Sequence, residues 1–289
     1  MVTDKRAVKE PNLAGSWYPA RSDALAREIG RLLEAVSPAG GCAPTGLVAP
    51  HAAYRYSGAC AAAGYARLQG SSAVRVVVIA PSHRGRFRGA AVLPADGYAT
   101  PLGTVGVDTE TVAELSRHEL INIDPAPFAQ EHAIEIQLPF LQTVLPAARL
   151  VPVLIGALEV EDARELAKIL RPALESAATV VVVSSDLTHY GSDFGYLPFP
   201  PTDEQSVRKG LRELDGGAVD LIVAGDADGL DAYVARTGAT ICGRAAIGVF
   251  LRARRARGHS EQLCYYTSLD VAGDHEHSVS YCSVAFWDQ

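Results

Sequence analysis

The sequence predicts an α/β fold, in which a single domain has a central, mostly parallel sheet flanked by helices. Short β-branched runs alternate with segments of helical periodicity, as in repeated βα units. The 289 residues are 48% hydrophobic and 20% charged, which is enough apolar material for a large core. Because no linker or composition shift divides the chain, we expect one domain over residues 1–289, of which residues 1–10 could be disordered.

The elements of the first half follow from local periodicity. A helix is predicted from Ser22, which can cap it, because the apolar residues that follow recur at helical spacing. An Ala-rich stretch that ends at Leu68 has high helix propensity and small side chains, which suit close packing on a sheet. Strands precede and follow that stretch, and they lead to His51 and Pro81.

The second half continues the alternation and then breaks it. The predicted helices are 105–120, 131–144 and 161–177, and the predicted strands are 150–155 and 179–185. A Pro-rich stretch at 197–202 is interpreted as a lid-like loop before helices at 205–214 and 219–236. Two final strands, 263–271 and 278–287, are joined by a charged turn and predict an antiparallel hairpin on the sheet edge.

Charge and cysteine usage narrow the classes of function. A formal net charge of −7 argues against the basic surface that nucleic acids and anionic membranes require. The five cysteines are scattered without a C-x-x-C pair, which argues against a disulfide framework and a zinc ribbon. No segment resembles a targeting peptide or a membrane span. We therefore expect a cytoplasmic protein that binds a small molecule or a protein, with neither nucleic acid nor membrane as a partner.

Three strand ends carry the first candidate functional residues. Each of three apolar runs leads into a turn that presents a histidine, namely His51, His83 and His189. Because the carboxyl ends of neighbouring parallel strands meet at one edge of a sheet, these imidazoles are expected to converge. A single histidine is more often held by a loop carbonyl, but two in similar Ala-Pro turns favour a shared site.

Cys242 and Asp186 are candidates for the same site. Cys242 lies near the predicted start of a helix, two residues before Arg244, where the thiol pKa is expected to be lowered and the metal-binding thiolate favoured. The alternative is an inert thiol buried beneath the helix. Asp186 could orient the imidazole of His189 for proton transfer, or it could cap a helix.

Glu131 and His132 belong to the predicted helix 131–144, with Glu135 one turn further on. Their order differs from the H-E-x-x-H pattern that places two imidazoles on one helix face. We interpret them either as residues that support a metal or substrate site, or as part of a surface helix.

Six segments, in chain order, resemble the signature segments of the Memo family, whose bacterial and archaeal members are also called AmmeMemoRadiSam system protein B. The resemblance extends from about Ala14 to Trp287. The six segments are Ala14–Pro19, Val48–Gly58, Pro81–His83, Glu131–Glu135, Ser184–Gly191 and Thr240–Gly248.

This resemblance implies a fold similar to that of the class III extradiol ring-cleaving dioxygenases, which hold non-heme Fe(II) with two histidines and a glutamate. It implies metal ligation by His51, His83 and Cys242, with Fe(II) favoured and Cu or Zn as alternatives. The remaining residues that it points to are Asp186 and His189 as catalytic groups, and Tyr54, Glu131, His132 and Arg244 around the metal or substrate. A thiolate is softer and more oxidisable than a carboxylate, so ring cleavage does not follow from the resemblance.

Three classes of function are open at this stage. The first is a non-heme iron oxidoreductase that acts on a small-molecule, phenolic substrate. The second is a zinc-dependent hydrolase. The third is a non-catalytic adaptor that binds a peptide or a metal, as a eukaryotic branch of the family is thought to do. A homo-oligomer is also an option, because the predicted edge strand 278–287 could pair between subunits.

Overall fold

A computed structural model of the chain describes residues 8–36, 41–176, 178–254 and 258–288. The helices in these ranges are α1 (Ser22–Glu34), α2 (Tyr54–Tyr65), α3 (Thr109–Leu115), α4 (Leu138–Val144), α5 (Val160–Leu174), α6 (Glu204–Ala224), α7 (Ala227–Thr237), α8 (Arg244–Ala253) and α9 (Ser268–Ala272). The strands are β1 (Val8–Lys9), β2 (Gly46–Ala49), β3 (Arg75–Pro81), β4 (Ala90–Val92), β5 (Gly97–Thr100), β6 (Gly103–Gly106), β7 (Ile121–Ile123), β8 (Arg149–Ile155), β9 (Thr179–Ser184), β10 (His189–Tyr190), β11 (His259–Thr267) and β12 (Ser278–Trp287).

The main sheet confirms the predicted α/β class. Its order is β10-β12-β2-β9-β3-β8-β4-β7, and β11 also pairs with β12. The four central strands, β2, β9, β3 and β8, are parallel to one another as predicted. The sheet as a whole is mixed, because the two strands that flank this centre are antiparallel to it: β12 pairs with β2, and β4 pairs with β8. A separate three-stranded sheet consists of β1, β5 and β6.

Helices cover both faces of the central strands, which explains why these strands are continuous apolar runs. The residues of β9 are buried along its whole length. Gly46 and Leu47 of β2 face opposite sides of the sheet. A Cβ at Gly46 would lie 2.6 Å from the Phe250 ring of α8, whereas a Cβ at Gly64 of α2 would lie 3.6 Å from the Leu47 side chain. The absence of a side chain at Gly46 therefore allows α8 to pack against the sheet.

The bounds of three predicted helices differ from those of the observed elements. Residues 105–120 were expected to be one helix, but β6 extends to Gly106 and α3 begins only at Thr109. The reason is the Asp108 carboxylate, which accepts a hydrogen bond from the N–H of Thr111 and so caps the helix at that point. The boundary between the predicted helices 205–214 and 219–236 is also wrong. Helix α6 continues to Ala224, and its C-cap is Gly225, where φ is +74°.

The predicted helix 131–144 is also wrong in its first half. Residues 131–134 form turns, a 3-10 turn covers Glu135–Gln137, and only α4 is regular helix. The Glu131 carboxylate accepts hydrogen bonds from the N–H groups of His132 and Ala133, which competes with helix formation. Glu131 and Glu135 are therefore not stacked on one helical face.

The C-terminal hairpin is present but is not placed as predicted. Thr267 and Asp270 form a capping box that begins α9, so β11 ends at Thr267 rather than at Val271. Strand β12 lies inside the sheet, where β2, β10 and β11 all pair with it, so it is not an edge strand.

Two predicted segments, 1–10 and 161–177, extend beyond the described residues. Val8–Lys9 pairs with β5, although residues 1–10 were considered as a disordered segment; residues 1–7 lie outside the described ones. The predicted helix 161–177 corresponds to α5, and Ala177 likewise lies outside the described residues. No helix in the described ranges is long and apolar enough to cross a membrane.

Candidate metal and substrate site

The strand ends bring the predicted histidines together at one edge of the sheet. His51 follows β2 and His83 follows β3, and both strands pair with β9. The His51 and His83 rings are 5.2 Å apart between centroids and are nearly perpendicular. Both line a cavity of about 610 Å³ that also contains Asp186 and His189. The structure therefore places four chain-distant candidates around one cavity, as the strand order predicts.

His51 is fixed with its Nε2 atom free for a ligand. Its Nδ1 atom lies 3.0 Å from the Ser184 hydroxyl. That hydroxyl already donates to the carbonyl oxygen of Ala133 and accepts from Nε2 of Gln137, so it can only accept from His51. Hence Nδ1 carries the hydrogen, and the Nε2 lone pair faces the cavity. Burial, reinforced by the neighbouring His83, holds the pKa of His51 well below its usual value, which keeps the ring neutral.

His83 is fixed in the same way by a carboxylate. Glu131 accepts from Nδ1 of His83 at 2.9 Å and from the His83 N–H at 2.6 Å. Burial alone would raise the pKa of Glu131, but these hydrogen bonds and the charge of His83 lower it to about 2. A charged carboxylate therefore accepts the Nδ1 hydrogen and leaves Nε2 of His83 for a ligand. Glu131 therefore positions the His83 ring, and its support of a metal or substrate site stays a prediction.

His132 lies closer to His51 and His83 than the sequence indicated. Its ring stacks on His83 at 4.4 Å and lies edge-on to His51 at 5.1 Å. The ligand nitrogens of the three histidines are all within 4.8 Å of one another. Burial, together with His51 and His83, lowers the pKa of His132 to about 3. His51 and His132 are thus neutral at ordinary pH and able to donate lone pairs.

Cys242 lies beside His51, although it does not belong to the three-histidine cluster. Its Sγ atom lies 3.1 Å from Nε2 of His51 and accepts a hydrogen bond from the N–H of Asp186 at 3.2 Å. The close approach requires Gly243, because a Cβ there would lie 2.4 Å from Ser185. The expected lowering of the thiol pKa is wrong: burial and the Asp186 carboxylate raise it. Helix α8 begins at Arg244, after Cys242, and the effect of burial outweighs that of the helix terminus.

Asp186 lies on the turn that follows β9. Its carboxylate is 3% exposed, accepts the N–H of His51 at 2.8 Å, and lies 4.0 Å from Nε2 of that ring. Burial raises the pKa of Asp186, although the nearby His189 acts in the opposite direction. A buried carboxyl group with a raised pKa inside a cavity is a candidate for proton transfer.

His189 presents its Nε2 atom for acid and base chemistry. Its Nδ1 atom lies 3.1 Å from the Leu187 carbonyl oxygen and 3.2 Å from that of Thr240. Since both partners can only accept, Nδ1 carries the hydrogen. The backbone of His189 is held by Thr240, whose hydroxyl accepts from the His189 N–H and donates to its carbonyl oxygen. The free Nε2 atom can therefore accept a proton from a bound molecule.

Tyr54 and Arg244 lie away from the cavity wall. Tyr54 is buried, and its hydroxyl donates to the carbonyl oxygen of Ile136. Arg244 is exposed at the first position of α8. Neither is among the residues that line the cavity, and the predicted role of both residues around the metal or substrate stays a prediction.

The remaining wall of the cavity contains residues that the motif analysis did not select. Trp17 lies against His132, with ring centroids 4.8 Å apart, and Phe194 lies against His189 at 5.2 Å. Arg55 and Tyr56, in the first turn of α2, also line it. Trp17 and Tyr56 belong to segments of the family resemblance, which was the available signal; Phe194 lies in a loop without any pattern.

The Pro-rich stretch 197–202 does not reach the cavity. The Phe199 ring stacks on Tyr190 at 4.9 Å, and the Tyr190 hydroxyl donates to the Phe199 carbonyl oxygen. These contacts hold the stretch against a small separate cluster of buried residues around Leu211. The loop that borders the cavity is the 3-10 turn Ser192–Phe194 instead.

Comparison with known proteins shows extensive similarity. A family model described as Memo-like protein matches residues 9–285. The chain is 32% identical over 281 residues to the protein memo-1 homolog of Caenorhabditis elegans, which covers 93% of this chain and 80% of that protein. It is 33% identical over 295 residues to a MEMO1 family protein of Methanopyrus kandleri, which covers 96% of this chain and 98% of that one.

The fold is also similar to a solved structure. An uncharacterized protein of Escherichia coli K12 superposes with a TM-score of 0.53 and 16% sequence identity, over 84% of this chain and 99% of that one. At this level of identity the similarity is one of fold.

Proposed function

Because this chain belongs to the Memo family, we propose that His51, His83 and Cys242 bind a redox-active metal ion, Fe(II), at a dioxygenase-like site. The observation that carries the proposal is the contact of 3.1 Å between Sγ of Cys242 and Nε2 of His51, beside His83. The proposed activity is oxidation of a small phenolic molecule.

One pair of the proposed donor atoms has a spacing that fits such an ion. Two donors on one ion, with bonds of about 2.1 and 2.3 Å, are about 3.1 to 3.6 Å apart at ordinary coordination angles. The distance between Sγ of Cys242 and Nε2 of His51 is at the lower limit of this range. The Asp186 N–H that points at the sulfur favours its thiolate form, and metal binding would release the thiol proton.

The chain's own residues supply positioning and proton transfer. Ser184 and Glu131 hold the two imidazoles in the tautomer that presents Nε2. A phenolic hydroxyl in the cavity would give its proton to Nε2 of His189, and Asp186, which lines the same cavity, would be a second group able to accept or return a proton. When bound, Fe(II) would supply a centre with open positions for a substrate and for O₂.

A second candidate function is favoured by the three-histidine cluster. His51, His83 and His132 offer three imidazole nitrogens within 4.8 Å of one another, and sets of three histidines hold zinc in enzymes. In that case Cys242 would not be required for binding, and the activity would be a zinc-dependent hydrolysis. The two candidates therefore differ in which side chain, Cys242 or His132, is needed for the metal.

Metal analysis of protein purified without oxygen tests both candidates. The variants are His51→Ala, Cys242→Ser and His132→Ala, with His118→Ala as a control outside the cavity. We expect about one Fe per chain in the parent, His132→Ala and His118→Ala proteins, and its loss in the other two. Zinc that persists in Cys242→Ser but is lost in His132→Ala would support the hydrolase instead. An absence of metal from the parent protein would contradict both, and would favour the peptide-binding adaptor.

A further inference from the structure

The cavity wall carries an arginine that is not used by the metal site. Arg55 is exposed, and its guanidinium lies 4.5 Å from the centre of the Tyr56 ring, which also lines the cavity. This stacking holds the guanidinium at the wall. Among the described residues, no carboxylate lies within 4.0 Å of it, and it is the only arginine or lysine that lines the cavity. Arg55 is therefore free to pair with an anionic ligand.

The carboxylates of the wall are occupied elsewhere. Asp186 accepts the N–H of His51 and is buried. Asp274 accepts the N–H groups of Glu276 and His277, and its other oxygen lies 3.6 Å from Nδ1 of His277. Neither carboxylate therefore neutralises Arg55, and the positive charge acts on whatever enters the cavity.

Aromatic side chains cover two other parts of the same wall. Trp17 lies against His132, and Phe194 lies against His189. Phe194 lines the cavity and is 42% exposed, so part of its side chain is accessible to a ligand. Flat aromatic and imidazole faces on a cavity wall favour a planar ring as the ligand.

We propose that the cavity binds an aromatic acid, whose ring contacts Trp17 and Phe194 and whose carboxylate pairs with Arg55. This inference rests on the proposed function, because it names the class of phenolic substrate that the same site would take. A volume of about 610 Å³ is within the usual range for small-molecule sites. A charge-assisted pair at a partly exposed position strengthens binding by about 10-fold.

Isothermal titration calorimetry tests the inference with 3,4-dihydroxybenzoate and its methyl ester, which lacks the negative charge. The full chain is titrated after treatment with a chelator, and again after Fe(II) loading without oxygen. The key variant is Arg55→Gln. The matched control is Arg236→Gln, because Arg236 is also exposed and stacked on a tyrosine, at 5.0 Å from the Tyr233 ring, but lies outside the cavity.

We expect the parent protein to bind the acid about 10-fold more tightly than the ester, and Arg55→Gln to bind both with the ester's affinity. Arg236→Gln should keep the preference. Phe194→Ala should weaken both ligands by about 5-fold and leave the preference intact. Retention of the preference in Arg55→Gln, an equal loss of both ligands in that variant, or failure of every protein to bind either ligand would overturn the inference.

The two proposals fail in different ways. If the metal analysis finds no ion but the chelator-treated chain shows the Arg55-dependent preference, the aromatic acid site stands and the oxidoreductase does not. If Fe is bound by His51 and Cys242 but the preference is absent, the metal site stands and the inference about Arg55 is wrong.

Discussion

The hydroxyl of Ser184 accepts a hydrogen bond from Nδ1 of His51 at 3.0 Å, and so determines which nitrogen of that imidazole faces the cavity. The hydroxyl can do so only because its own hydrogen is donated to Ala133. Ser184 is fully buried, so no water replaces it easily. Ser184 of β9 thus determines that Nε2 of His51, and not Nδ1, is the nitrogen that faces the cavity.

Ser184→Ala should weaken metal binding without removing a ligand. His51 loses the acceptor that fixes its tautomer, and Gln137 loses a partner for its Nε2 atom. We expect metal affinity to fall by about 10-fold and unfolding free energy to fall by about 1 to 3 kcal/mol. Competition with a chelator and urea denaturation measure the two effects. Ser283→Ala removes another buried hydroxyl, on β12, and should lower stability alone; an equal loss of metal affinity there would refute the role of Ser184.

His189→Ala should abolish turnover while the metal remains bound. The Nε2 atom of His189 is free to accept a proton, and loss of a general base typically lowers a rate by about 100-fold or more. Oxygen uptake with a catechol-type substrate, measured beside metal content, checks this. His277→Ala removes another histidine of the cavity wall and should retain most of the activity. Unchanged turnover in His189→Ala would end its assignment as acid and base.

Gly46→Ala should destabilise the fold because the new Cβ would meet Phe250 at 2.6 Å. Overpacking of this kind costs about 1 to 3 kcal/mol, and a smaller partner should relieve it. We therefore expect Phe250→Leu in the Gly46→Ala background to recover part of the loss, as a thermodynamic cycle measured by urea denaturation would show. Strictly additive effects of the two substitutions would mean that the contact is not the cause.

Asp108→Ala should lower stability at neutral pH but less so in acid. Burial acts to raise the pKa of Asp108, but the Thr111 N–H and the Arg75 guanidinium outweigh it and lower the pKa. A carboxyl whose pKa is lower in the folded chain contributes fully above the unfolded value of about 4, and its contribution is lost as pH falls through the folded value. We expect a deficit of about 1 kcal/mol between pH 5 and 7 that shrinks below about pH 4. Urea titrations across this range measure it, and a deficit that grew in acid would contradict the assignment.

The parallel centre of the sheet and the approach of His51 to His83 could be expected from the sequence, but the position of His132 could not. Apolar runs that end in Ala-Pro turns report strand ends directly, and strand ends of a parallel sheet converge. His132, in contrast, was assigned to a helix whose periodicity is real only from Leu138 onwards. Its location depends on the Glu131 carboxylate, which takes hydrogen bonds from residues both near and distant in the chain.

The aromatic and cationic wall was equally beyond local patterns. Phe194 and Arg55 line the same cavity as His51 and His83 only because a 3-10 turn and α2 pack around it. Neither residue has a spacing that distinguishes it from an ordinary surface side chain. The thiol pKa of Cys242 was misjudged for a related reason, because burial depends on the tertiary fold and not on adjacent residues.

The carboxylate of Glu135 has a separate consequence for how the cavity is assembled. It accepts hydrogen bonds from the backbone N–H groups of Asn12 and Leu13 and from the Tyr18 hydroxyl. These contacts dock the segment that carries Trp17, whereas His51 and His83 follow strands β2 and β3. The Trp17 side of the cavity is therefore anchored through one buried carboxylate, independently of the strand ends that carry the two histidines.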